Sequence, residues 1–185
     1  MKNKYVFLRH AETVKDPEVH PALWKLTPEG LNKIEEYNNQ DLFAKVDVIV
    51  TSTENKAIAT ANSVKEKYDL PLISFKEFSE IGRSSKFLTD EEFLIQKKRQ
   101  VTELDTEVDG GESGQNALNR IKRGIVKLEN LFENKIILVV SHGTIMSLYF
   151  AELTNNQNDI FSRWQNLPFC AVGKIENGLV IKDLI

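Results

Sequence analysis

Residues 2–13 read KNKYVFLRHAET, an apolar run from Tyr5 to Leu8 that passes straight into Arg9, His10 and Glu12. Successive side chains of a strand point to opposite faces, so a run apolar at every position is a strand buried on both sides. Such a strand has no face that welcomes an arginine or a histidine, and the pair must stand at its carboxyl tip. Residues 134–144, NKIILVVSHGT, repeat the design with Ser141, His142 and Gly143 at the tip. The chain has three histidines, and two of them hold this position.

Further short runs rich in Val, Ile and Phe read as strands over residues 46–51, 72–75, 171–175 and 179–184, beside those at 5–8 and 136–141. Helical spacing fills the gaps. Residues 27–43 open with Thr27 as N-cap and Pro28 at the first helical position, with Leu31, Ile34, Tyr37 and Leu42 as an apolar stripe. Residues 53–68 place Ala57, Ala61, Val64 and Tyr68 on one face. Residues 113–134 place Leu118, Ile121, Ile125, Leu128, Leu131 and Phe132 on another, with Ser113 as N-cap. Asn177-Gly178 marks a hairpin between the last two strands. Alternating strands and helices predict a single α/β domain over 1–185, a mostly parallel sheet with helices on both faces and one antiparallel strand at the C-terminal hairpin. Ligands of such sheets bind outside the carboxyl ends of the strands, where Arg9-His10, Thr51-Ser52 and Ser141-His142 all fall.

Composition narrows the function. A net charge of -3 from 24 basic and 27 acidic residues shows no basic excess of the kind nucleic-acid binders carry. No run approaches the ~20 apolar residues of a membrane span, and the single Cys170, in an apolar stretch, reads as a buried inert thiol. A cytoplasmic setting is the expectation, with neither nucleic acid nor membrane as partner.

The tips themselves suggest phosphoryl chemistry. A neutral imidazole at His10 is a nucleophile, Arg9 offers a fork of donors that matches phosphate oxygens, and Gly143 opens a helix whose first N–H groups favour an anion. Zinc held by two histidines and a carboxylate is the other chemistry available, but no His-Glu-x-x-His, cysteine pair or aspartate cluster supports it. No glycine-rich phosphate loop ending in Gly-Lys-Ser/Thr is present either.

LRHAET at 8–13, LTPEG at 26–30, GGES at 110–113 and VVSHGT at 139–144 follow one another in an order that resembles the histidine phosphatase superfamily, the phosphoglycerate-mutase-like enzymes. The resemblance runs from Arg9 to the closing strands. It implies that His10 accepts the phosphoryl group to give a phosphohistidine, with Arg9, His142 and the Gly143 N–H holding its oxygens. It implies a general acid in EFSEIGRSS, at Glu80, a supporting role for Glu12, and neither metal nor cofactor. Lys56, in STENKAIATA, occupies the position of the family's second phosphate-binding arginine, keeping its charge without the bidentate fork. Arg83 is a candidate substitute, and Asp16 would oppose a phosphate if it pointed inward. His20 and Arg83 are candidates for the substrate mouth, His20 otherwise a plain surface residue; Trp24 and Trp164 read as packing residues, and QKKRQ at 96–100 reads as a solvated helix face, with a basic lid as its alternative. The short segment 84–109 lacks the arginine-rich insertions of the mutases, so water is the expected acceptor. The expectation is a metal-independent phosphatase acting on a small phosphorylated metabolite; the alternatives are a weakened member that binds a phosphorylated ligand, and a mutase-type phosphoryl transferase.

Overall fold

The computed structural model describes residues 1–82 and 88–185. Six strands form one sheet: β1 (Lys4–Arg9), β2 (Val48–Thr51), β3 (Leu72–Ser74), β4 (Ile136–Ser141), β5 (Val172–Glu176) and β6 (Leu179–Lys182), in the order β3-β2-β4-β1-β5-β6. The first four are mutually parallel, and β5 runs against both β1 and β6. The helices are α1 (Pro28–Asn39), α2 (Asn55–Tyr68), α3 (Asp90–Thr102), α4 (Gly114–Leu131), α5 (Gly143–Leu153) and α6 (Ile160–Asn166).

The two-residue period of the strands divides the core in two. Tyr5, Phe7, Val48, Val50, Ile137 and Val139 face one side and pack with Ile121, Ile125 and Leu128 of α4 and Ile145 and Leu148 of α5. Val6, Leu8, Ile49, Leu138 and Val140 face the other side and pack with Ile34 of α1 and Ala57, Ala61 and Val64 of α2. Each fully buried Val, Leu, Ile or Phe side chain in these layers is worth roughly 1.5–3 kcal/mol of transfer free energy. The β1–β4 register pairs Arg9 with Ser141, which sets His10 and His142 side by side one residue beyond.

The helix starts follow their sequence signals. Thr27 accepts from the Gly30 N–H and Ser113 from the Asn116 N–H, each satisfying an N–H that the first turn leaves without a partner. Gly30 has a steric reason: a Cβ there would stand 2.7 Å from the Glu12 carbonyl oxygen. That closeness seats loop 11–13 against α1, where the Glu12 carbonyl also accepts the Thr27 N–H.

Some expectations need correction. The buried face of α1 is Gly30, Ile34 and Asn38, which turns Leu31 outward, 45% exposed. Leu131 is likewise exposed at the last turn of α4. The QKKRQ segment is not a solvated face: Gln96, Lys97 and Gln100 are buried, because α3 packs against α4, α5 and α6. Cys170, by contrast, is fully buried as its apolar stretch implies, and burial pushes its thiol up to about 11. Among the described residues no helix is long and apolar enough to cross a membrane.

Candidate functional site

A cleft of about 220 Å³ opens where the carboxyl ends of the central strands meet α3 and α6; Arg9, His10, Lys56, Glu80, Lys97 and Thr144 line its inner end. The backbone at its floor is pinned on every side. The His10 N–H donates to the Ser141 carbonyl (2.9 Å), and the Ala11 N–H donates to Thr60 Oγ1 (3.0 Å).

His10 is 6% exposed, and its Nδ1 lies 2.8 Å from the Ala11 carbonyl oxygen. A carbonyl only accepts, so Nδ1 carries the proton and Nε2 keeps its lone pair. Burial, assisted by His142 and the Lys56 ammonium, holds His10 well below the usual histidine range, and the nucleophilic form is retained at neutral pH. The two imidazole centroids are 5.1 Å apart.

Arg9 donates to the Leu167 carbonyl and lies 4.3 Å over the Phe169 ring. Gly143 leaves room beside it: a Cβ at 143 would meet the guanidinium carbon at 3.2 Å, tighter than ordinary van der Waals contact, and would push Arg9 by a few tenths of an ångström. His142 is fully buried; its Nε2 lies 2.7 Å from Ser52 Oγ, and its Nδ1 has no hydrogen-bond partner among the described residues. Burial first, then Lys56, lower its pKa to about 3. Thus the three strand tips anticipated from the sequence converge on one point.

Glu80 follows the 3-10 turn Lys76–Phe78, and its carboxylate accepts from the N–H groups of Thr144 (3.1 Å) and Ile145 (3.2 Å), at the positive end of α5. The helix start expected to receive a phosphate through Gly143 therefore already holds a carboxylate. Burial alone would raise Glu80, but the Lys97 ammonium, His142 and the N–H groups of Ile81 and Thr144 outweigh it and hold the carboxyl far below its usual range.

The loop carrying Glu80 is clamped from below. Arg120 forms a bidentate pair with Glu112 (2.8 and 2.7 Å) and donates to the carbonyls of Lys76, Glu77, Ser79 and Glu80. Glu112 in turn accepts from the Gly82 N–H. The GGES motif and the helix that follows it are therefore tied to the position of Glu80.

Lys56 is buried, donates to the Pro21 carbonyl (3.0 Å) and pairs with Glu54 at 2.8 Å. Glu54 was not among the residues singled out from the sequence, where only its place two residues after Ser52 marks it. Lys97 belongs to the QKKRQ run, for which a solvated face and a basic lid are the two readings; it is 2% exposed and lies 5.5 Å over the Phe93 ring. Its signal was the spacing of Phe93, Lys97 and Val101 along one face of α3.

The outer end of the cleft is lined by Trp24, Leu88, Phe93 and Trp164, with the Lys15–Asp90 ion pair (2.8 Å) at its rim. Trp164 meets Phe93 edge-on and stacks on Phe161. Trp24 and Trp164 are thus cleft walls as well as packing residues. Glu12 lines the cleft and accepts from Thr27 Oγ1 at 3.2 Å. Asp16 is not part of the lining; its carbonyl accepts from the Trp24 indole N–H. His20 is exposed and outside the lining; its ring caps the 3-10 turn Pro21–Leu23, and its neighbour Pro21 reaches the cleft instead. Arg83 lies outside the described residues. Among the described residues, no group of three or more His, Cys, Asp or Glu side chains is placed to hold a metal ion.

Known proteins resemble this chain in sequence and in fold. The uncharacterized phosphatase PhoE of Bacillus subtilis is 25% identical over 116 residues, covering 63% of this chain and 58% of that protein. The structure of Bacillus stearothermophilus YhfR superposes with a TM-score of 0.79 at 18% identity, covering 97% of this chain and 95% of that one. Phosphoglycerate mutase from Bacillus anthracis str. Sterne superposes with a TM-score of 0.74 at 16% identity, covering 98% and 92%. The model of the histidine phosphatase superfamily, branch 1, matches residues 5–178, a span that includes every strand tip described above, and the chain belongs to that superfamily.

Proposed function

We propose that this protein hydrolyses small phosphomonoesters through a phosphohistidine formed on His10. The observation that carries the reading is the His10 ring: its Nδ1 is tied to the Ala11 carbonyl, so a bare Nε2 faces a cleft holding Arg9, Lys56 and Lys97. Nε2 attacks phosphorus, the ester P–O bond breaks, and the leaving oxygen takes a proton from Glu80. Glu80 then removes a proton from water, the hydroxide attacks phosphorus, and the P–N bond breaks to release orthophosphate. Arg9, the His142 imidazole and the lysines stabilise charge on the phosphoryl oxygens. An arriving dianion opposes the cations that hold Glu80 ionised, so binding itself raises that carboxyl towards the protonated form an acid requires.

Water is the acceptor in this reading because segment 84–109 carries no arginine pair to hold a second phosphorylated substrate for a mutase cycle. The cleft's size suits a small metabolite, and the cytoplasm is the setting proposed. One observation favours a second reading, a weakened protein that binds a phosphorylated ligand: Lys56 spends its charge on Glu54 at 2.8 Å.

The test is release of p-nitrophenol from p-nitrophenyl phosphate in EDTA, with the parent and His10→Ala side by side. Turnover in the parent and none in the variant supports the hydrolase. Equal turnover in both overturns it, and phosphate binding by a parent that turns over no ester supports the second reading.

A further inference from the structure

Glu54 is the N-cap residue of α2, yet its side chain makes no capping bond to that helix. It turns inward and is only 13% exposed. One carboxylate oxygen lies 2.8 Å from Lys56 Nζ; the other accepts the Glu80 N–H at 2.7 Å and lies 3.4 Å from His142 Nε2. The imidazole between them is fully buried, with Ser52 Oγ and Glu54 on its Nε2 side and a partnerless Nδ1 on the other among the described residues.

We propose that Glu54 is a positioning residue that stabilises the doubly protonated form of His142 while a phosphoryl group is bound, directing an Nδ1–H donor at its oxygen. The proposal rests on the reading that the cleft takes a phosphoryl group. The groups around the ring come from every neighbouring element: Arg9 at the end of β1 and His10 just after it, Glu54 and Lys56 at the start of α2, Glu80 after the 3-10 turn, Lys97 from α3 and Arg120 from α4. Arg9, Lys56 and Arg120 disfavour a charged ring, whereas Glu54 and Glu80 favour it. In the protein by itself the balance keeps the ring neutral. A phosphoryl dianion adds two negative charges, and one proton then passes from solvent to the ring. In the imidazolium both nitrogens donate, Nε2–H to Ser52 and Glu54 and Nδ1–H to phosphate. The competing arrangement has Ser52 donating to Nε2, which leaves a neutral ring with its proton on Nδ1 and gives Glu54 no part.

The two are separated by ring nitrogen NMR of the 15N-histidine-labelled full chain, with orthophosphate as the probe and His142 assigned by its loss in His142→Asn. In the parent, orthophosphate is expected to raise the His142 midpoint. In Glu54→Gln, of the same shape without the charge, the phosphate-bound midpoint is expected to fall by about one pH unit or more, with Glu54→Asp between the two. A thermal melt of each variant confirms folding. An unchanged midpoint in Glu54→Gln, or a ring that stays neutral or does not respond to orthophosphate, overturns the proposal. The readout is the ring and not turnover, so a protein that hydrolyses no ester fails the proposed function while still deciding the role of Glu54.

Discussion

The inner and outer ends of the cleft are built by different means. At the inner end, Arg9, His10, Ser52 and His142 stand on the tips of adjacent parallel strands, with backbone bonded across the sheet and layers of buried aliphatics beneath. At the outer end, Phe93 and Trp164 come from α3 and α6, held by ring-to-ring contacts. The difference teaches where function is fixed and where it is adjustable. Chemistry tolerates little displacement, since a 1 Å misplacement costs about 10²-fold. Selectivity for a leaving group is set by surfaces that exchange side chains without disturbing the sheet.

Variants at the two ends should therefore differ in kind. Glu80→Gln is expected to lower kcat by about 10²–10⁴-fold on alkyl phosphates. In kcat/KM, which reports transfer to His10 without the later attack of water, the loss should be much smaller on p-nitrophenyl phosphate, whose leaving group needs no proton. Steady-state kinetics on the two esters check this, and equal losses of kcat/KM would remove Glu80 from the acid role. Arg120→Met frees the loop bearing Glu80 and is expected to lower kcat by about 10²-fold. Glu112→Gln should act in the same direction, and the double variant should be no worse than the worse single, because the two act as one clamp. At the outer end, Trp164→Ala or Phe93→Ala is expected to raise KM by about tenfold or less with kcat unchanged. A kcat loss there matching that of Arg120→Met would erase the distinction between the ends.

The inner end also carries a cost in acid. His10 and His142 are held below the ordinary histidine value, so below pH ~6.5 the unfolded chain takes up protons that the folded chain refuses. Each buried histidine then removes about 1.4 kcal/mol of stability per pH unit, for His142 until pH reaches about 3. Glu80, also held low, adds to the loss below the ordinary carboxylate range. Denaturant melts from pH 7 to 4 should therefore show falling stability, with a shallower slope in His10→Asn. An identical slope would contradict the burial argument.

The sequence revealed the two ends unequally, for physical reasons. Strand tips are local: an apolar run that stops at a charged pair announces both the strand and its end, which is why β1, β4 and the caps at Thr27 and Ser113 were legible. Lys97 was not. A lysine in QKKRQ is a surface residue by composition, and only the packing of α3 against α4, α5 and α6 buries it. Glu54 was obscured for a similar reason. Its neighbours in space are Glu80 and His142, 26 and 88 residues away, and no local pattern announces that meeting. The carboxylate of Glu80 on the first N–H groups of α5 was equally non-local. A helix start reads as an anion site whichever anion fills it.

The most direct measurement is to trap the covalent intermediate. The protein is mixed with a phosphomonoester, quenched in alkali within milliseconds and digested, and the peptide spanning β1 is read by mass spectrometry. A phosphoryl group on His10, stable in base, lost in acid and missing from His10→Ala, is the expected result. Turnover of the ester with no phosphorylated His10, or with the phosphoryl group on another residue, would contradict the role assigned to the tip of β1.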